Sequence, residues 1–167
     1  MTPEEQNLYL SKWHAEAVRY MDNAEETLKK AQKQDHGWYK DEKYVRSACG
    51  IAYLGVLAAL DAWLNLKGVR IPNKRKHPTI DFYECEVAKL DKKMLDYLNS
   101  AYNILHLEGY YRRERSVKVI GDGFDFAYLI IGKIKPENPI DVPETRADRV
   151  KRALNKMFLS LAATFRF

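Results

Sequence analysis

Ala48-Cys49-Gly50-Ile51-Ala52-Tyr53-Leu54-Gly55-Val56-Leu57-Ala58-Ala59-Leu60 is the longest stretch without a polar residue other than its tyrosine, and its reading decides the fold. Beta-branched residues are scarce in it, which argues for a helix rather than a buried strand. On a helix running from about Asp41 to Lys67, Ala48, Ala52, Gly55, Ala59 and Ala62 form a ridge of small residues. Leu54, Leu57, Leu60 and Leu64 place bulk on another side. A helix apolar on most of its sides belongs in the centre of a bundle or in a subunit interface. The stretch is shorter than the roughly 20 apolar residues that span a bilayer, and Asp61 and Asn65 interrupt it.

Helical periodicity extends outward from this centre. Upstream, Leu10, Trp13, Ala17, Tyr20/Met21, Ala24, Leu28 and Ala31 recur every three or four residues, which predicts a long first helix. Thr2, Pro3 and Glu5 start it with a capping box. It is expected to end near Gln34, with Gly37 as the stop. Downstream of Gly68, the linker to Ile80 contains two prolines and carries Arg70, Lys74, Arg75, Lys76 and no acidic residue. A third long helix is then expected from a capping box at Asp81 and Glu84, with a stripe of Tyr83, Val87, Leu90, Met94, Tyr97, Ala101 and Ile104, closed by Gly109. Residues 109–115 read as an aromatic and basic turn, Val117 to Ile120 as an extended piece, and Gly121-Asp122-Gly123 as a break. A shorter helix from about Phe124 to Lys135 and a last one from about Glu144 to Phe165 complete the count of five, three of them long. The expected fold is all-α: an up-down antiparallel bundle forming a single domain over 1–167, with a core from 3 to 135 and the C-terminal helix, about 144–165, packed on it.

Composition agrees with a globular chain of one domain. The 167 residues are 46% hydrophobic and 31% charged, enough for a core without staples. Cys49 and Cys85 are too few for a disulfide framework and read as free thiols in a reducing compartment. The acidic opening Met1-Thr2-Pro3-Glu4-Glu5 lacks the pattern of a signal peptide, so a cytoplasmic location without membrane association is expected. The net charge of +5 is uneven: residues 1–66 hold 8 Lys/Arg against 10 Asp/Glu, leaving the excess of cations in the remainder. Such asymmetry steers anionic partners.

Tyr44-Val45-Arg46-Ser47-Ala48-Cys49-Gly50 and Leu105-His106-Leu107-Glu108-Gly109-Tyr110-Tyr111, within Lys43 to Lys67, Lys89 to Tyr111 and Val117 to Lys135, are similar to an uncharacterised bacterial domain family of unknown function over about residues 8–136. More broadly, Trp13 to Ala17, Asn23 to Leu28, Lys43 to Gly50 and Ala58 to Ala62 resemble the HEPN-like helical bundles (the higher eukaryote and prokaryote nucleotide-binding domains). That resemblance implies RNA-cutting toxins, nucleotide-binding partners of nucleotidyltransferases, or dimeric non-catalytic modules. Its RNA-cutting members carry an arginine, four to six residues and a histidine near the start of the last core helix. Here Arg70 and His77 meet the spacing but lie in the linker, and no histidine follows His106.

The candidate residues fall into two groups. Arg70, Lys74, Arg75, Lys76 and His77 in the linker, with Tyr110, Tyr111, Arg112 and Arg113 in the aromatic turn, are candidates for ligand or nucleic-acid contact, since exposed rings stack on bases while cations meet phosphates. Arg46, Tyr53, Asp61 and His106 are candidates for buried polar positions. Asp61 either faces solvent, meets an Arg, Tyr or Lys inside the bundle, or lines a pocket, because a buried carboxylate needs a partner. No catalytic residue and no cofactor is assigned. The four histidines and two cysteines lack metal-ligand spacing, and Gly121-Asp122-Gly123 lacks the Lys and Ser/Thr of a phosphate loop. The expectation is a non-catalytic helical module that forms a homodimer and binds a protein partner. The alternative is a nucleotide- or RNA-binding protein, with a metal-independent endoribonuclease behind it.

Overall fold

The computed structural model describes residues 1–72 and 78–138. It is all-α and mostly up-down. Helix α1 spans Pro3–Lys29 and α2 Glu42–Leu66. Helix α3 spans Ile80–Leu90 and α4 Lys92–Ala101. The last runs without a break into a π-helical segment, Tyr102–Tyr111, making one rod of the two. Helix α5, Val117–Ile131, follows and ends in a 3₁₀ turn, Gly132–Ile134. Among the described residues this gives five helical rods, three longer and two shorter, and no strand beyond two isolated bridges.

Local chemistry sets most of these boundaries. The capping box at α1 forms as expected: Glu5 N–H donates to Thr2 Oγ1 at 3.2 Å and Thr2 N–H to Glu5 Oε2 at 2.7 Å. The helix stops at Lys29, short of Gln34, because the chain turns through Gln32 at φ 54° and Gly37 at φ 81°. The resulting loop docks on the start of α5, with Tyr39 N–H donating to Arg115 O at 2.9 Å. Asp41 caps α2 by accepting from Lys43 N–H at 2.9 Å.

The third helix departs from its expected form. Thr79, not Asp81, sits at the N-cap, and it makes no side-chain capping bond. The rod breaks at Asp91, whose backbone is extended (φ −155°, ψ 105°) and whose carboxylate caps α4 by accepting from Met94 N–H at 2.9 Å. Part of the apolar stripe survives the break: Tyr83, Val87, Met94 and Ala101 are buried, whereas Leu90, just before Asp91, is exposed, Tyr97 and Ile104 are only partly buried, and Leu98 takes a core position instead. Val117 to Ile120 are the first turn of α5, capped by Ser116, rather than an extended piece. Gly121-Asp122-Gly123 lie inside that helix and do not break it. Gly109 likewise lies within the π-helical segment instead of ending a helix. The expected C-terminal helix, about 144–165, lies outside the described residues.

Helices α1 and α2 form the most extensive pair, and α2 also meets the π-helical segment and α5. The small ridge explains the first contact: Gly55 lets α1 approach until a Cβ there would be 3.1 Å from Tyr20 Cβ and 3.2 Å from Ala17 O. Ala48, Ala52, Ala59 and Ala62 are buried alongside it. By length and composition α2 is apolar enough to cross a membrane, with a mean hydropathy of 1.6 over its best window, although 61% of that window is buried inside the bundle. The longest uninterrupted apolar stretch is shorter than this helix. As a core helix, α2 carries Leu60 and Leu64 at full burial but leaves Leu54 half exposed.

Candidate functional site

The outward face of α2 and the π-helical segment enclose an open groove of about 560 Å³. From α2 come Ser47, Gly50, Ile51, Tyr53, Leu54 and Leu57. They are linked by three- and four-residue spacings, which places them on one face. The opposite wall is His106, Tyr110 and Tyr111. The π-helical winding, with its i→i+5 bonding, is rare and recurs at functional sites. Here its wider turn keeps residues four and five apart on one side, so that Tyr102, His106 and Tyr110 line up.

The rings form a continuous array. His106 lies 5.2 Å from Tyr102 and 6.0 Å from Tyr110 between ring centroids, with interplanar angles of 23° and 10°. Tyr53 approaches it from α2 at 4.8 Å. Tyr111 stands nearly perpendicular to both His106 and Tyr110, at 80° and 90°, and closes the corner. Arg46 braces this end: its Nε donates to Tyr110 O at 2.9 Å, and its guanidinium carbon lies 5.7 Å from the Tyr110 ring centre. Gly50 makes room for Tyr110, since a Cβ there would be 3.3 Å from Tyr110 Cδ2.

Burial sets the titration of the groove. It lowers the His106 pKa below the usual imidazole range. It raises Tyr53, with Tyr102 and Glu84 adding smaller contributions in the same direction. Cys49, one turn before Tyr53, is fully buried, and desolvation pushes its thiol up to about 12, so it stays protonated and unreactive at neutral pH. Asp61 lies farther along α2, half-buried, and accepts a hydrogen bond from Tyr83 Oη at 2.7 Å. Of the three environments open to it from sequence, the structure selects a tyrosine partner inside the bundle. Burial raises the Asp61 pKa, and the bond from Tyr83 partly opposes that shift.

The sequence candidates thus divide. Arg46, Tyr53, His106, Tyr110 and Tyr111 come together in one site, while Asp61 sits apart with Tyr83. The cations of the aromatic turn face local acids: Arg112 pairs with Glu108, and Arg113 Nη1 lies 3.4 Å from Glu42 Oε1. Arg70 is exposed just after α2. Lys74, Arg75, Lys76 and His77 lie outside the described residues. Tyr102, Ser47, Gly50, Ile51, Leu54 and Leu57 also belong to the site, and none of them is a site candidate from sequence, where Leu54 and Leu57 read only as the bulky side of the central helix. The spacing of four from Tyr102 to His106 to Tyr110 was the available signal. Among the described residues, no group of three or more His, Cys, Asp or Glu is placed to hold a metal ion.

Comparisons with known proteins agree with the fold. A solved structure described as a protein of unknown function from Dyadobacter fermentans is 33% identical, with a TM-score of 0.62, over 81% of this chain and 97% of that one. No curated protein matches the sequence. The family model for the domain of unknown function DUF5618 matches residues 12–136, a span that contains α2, the π-helical segment and the whole groove between them. The chain belongs to the DUF5618 family.

Proposed function

We propose that this protein is a non-catalytic helical interaction module that pairs with a second copy of itself through the groove face of α2 and the π-helical segment. The observation that carries this reading is the exposure of large apolar side chains on that face. Leu54 is 50% exposed and Tyr111 61% exposed, on either side of the groove. Apolar clusters left open in this way mark interaction sites. The lining is also free of charge. A two-fold axis sets like residues near like, so an uncharged face suits a second copy. Tyrosines are favoured anchors in such contacts because each offers area and one hydroxyl.

The resemblance of α1 and α2 to HEPN-like bundles, some of which are dimeric non-catalytic modules, points the same way. The free thiols Cys49 and Cys85 support a cytoplasmic location. A role in binding RNA or nucleotides draws on Arg112 and Arg113, whose side chains stay largely exposed although Glu108 and Glu42 beside them offset part of their charge.

Sedimentation velocity over a concentration series tests the pairing. The wild type is expected to shift from monomer to dimer as concentration rises. Leu54→Glu, which sets a carboxylate in the contact while leaving the core intact, is expected to raise the dissociation constant at least about tenfold, or 1.4 kcal/mol. A wild type that remains monomeric throughout overturns the reading.

A further inference from the structure

Resting on the pairing proposed above, we infer that association is coupled to proton release at His106: the second copy closes over an imidazole held in the aromatic stack, so acidification separates the two copies. The geometry supplies the reason. His106 lines the open groove and is the one basic side chain among its lining residues. Its neighbours cannot stabilise an imidazolium by charge. From α2 it meets the Tyr53 ring. From its own segment it meets Tyr102, Tyr110 and Tyr111.

The nearby charges do not change this. Glu108 is held by Arg112. Glu84, on α3, acts on Tyr53. Arg46 lies against the Tyr110 ring and is itself a cation. Helix α5 packs elsewhere on the segment, with Gly123 against Ile104 and Leu105. Burial already depresses the His106 pKa in the single copy. A second copy removes the water that remains around the ring, and by symmetry it brings its own His106 and Arg46 toward the same contact. The tyrosine faces return some stabilisation to an imidazolium, but less than the hydration it loses.

The direction follows from linkage. The pKa of the paired state lies below that of the free copy. Above the free-copy value both states are neutral at His106, and pairing is at full strength. As pH falls through that value the free copy gains a proton that the pair must exclude, and pairing weakens. Each dimer carries two such sites, so up to two protons are released per association.

Sedimentation velocity at about pH 7.5 and about pH 5.5 reads the effect, with an expected rise in the dissociation constant of about tenfold on acidification. His106→Gln, which keeps a polar side chain of similar reach without a titrating ring, is expected to pair equally at both values. As a second measurement, NMR titration of the His106 ring is expected to give a lower pKa in concentrated than in dilute wild-type samples. A wild-type dimer indifferent to pH, or a drop that persists in His106→Gln, overturns the coupling while leaving the pairing in place. A chain monomeric at both pH values instead overturns the pairing, and the coupling with it.

Discussion

Single residues show how local composition misleads when packing decides. Gly121 and Gly123 both read as breakers, yet both are helical, and only one has a packing role. A Cβ on Gly123 would lie 2.6 Å from Ile104 Cγ2 and 2.9 Å from Leu105 Cδ2, whereas nothing lies within 4 Å of one on Gly121. Gly123 is therefore the point where α5 closes on the π-helical segment. The two alanine substitutions should have opposite signs. Gly123→Ala is expected to cost about 1–3 kcal/mol through overpacking. Gly121→Ala is expected to gain up to about 1 kcal/mol, because alanine loses less conformational freedom in a helix. Thermal unfolding of the two variants checks this, and equal shifts would show that Ile104 and Leu105 yield freely. Gly109 obeys the same logic: a Cβ there would be 2.5 Å from Cys49 Sγ. No local rule distinguishes these glycines from turn formers, since the side chains that require them lie 18 or more residues away in sequence.

At the scale of elements, periodicity was legible and interruption was not. The stripe from Tyr83 to Ile104 spans two helices as though they were one, because the break at Asp91 preserves which side faces the core. Asp91 makes the break stable by supplying a cap: its Oδ1 accepts from Met94 N–H, and its Oδ2 lies 3.3 Å from Lys133 Nζ. Its pKa is lowered, first by the backbone bond from Met94. Asp91→Ala is expected to cost about 1 kcal/mol, nearly all of it from the lost cap, because a partly exposed ion pair contributes little. Thermal unfolding should show a Tm lower by about 2–4 °C. Lys133→Ala should leave Tm almost unchanged, and a drop as large as that of Asp91→Ala would assign the stabilisation to the ion pair instead. The π-helical segment was equally hidden. Its residues carry an ordinary helical pattern, and the altered winding emerges only where Gly109 meets Cys49 and the rings meet α2.

The whole molecule assembles a site that no single element contains. Arg46 and Tyr53 on α2 reach His106, Tyr110 and Tyr111 more than 50 positions later, and only the packing of the two rods makes them neighbours. Sequence patterning identified most of these side chains but assigned them to separate roles, the arginines and tyrosines of the turn to one surface and the polar groups of α2 to the core. Folding instead joins the tyrosines to the α2 group, and leaves Arg112 with Glu108 on its own segment and Arg113 near Glu42 at the start of α2. Pairing through this site has a consequence for stability. A second copy binds the folded chain and not the unfolded one, so mass action should stabilise the wild type as concentration rises. A tenfold increase in concentration is expected to raise the wild-type Tm measurably. Leu54→Glu should show a weaker dependence over the same range, because Leu54 lies outside the core and its replacement weakens the contact without unfolding the bundle. A concentration dependence equal in both proteins would place the contact on another face of the molecule, whereas its absence in both would mean that the groove stays open at these concentrations and that its apolar wall awaits a different partner.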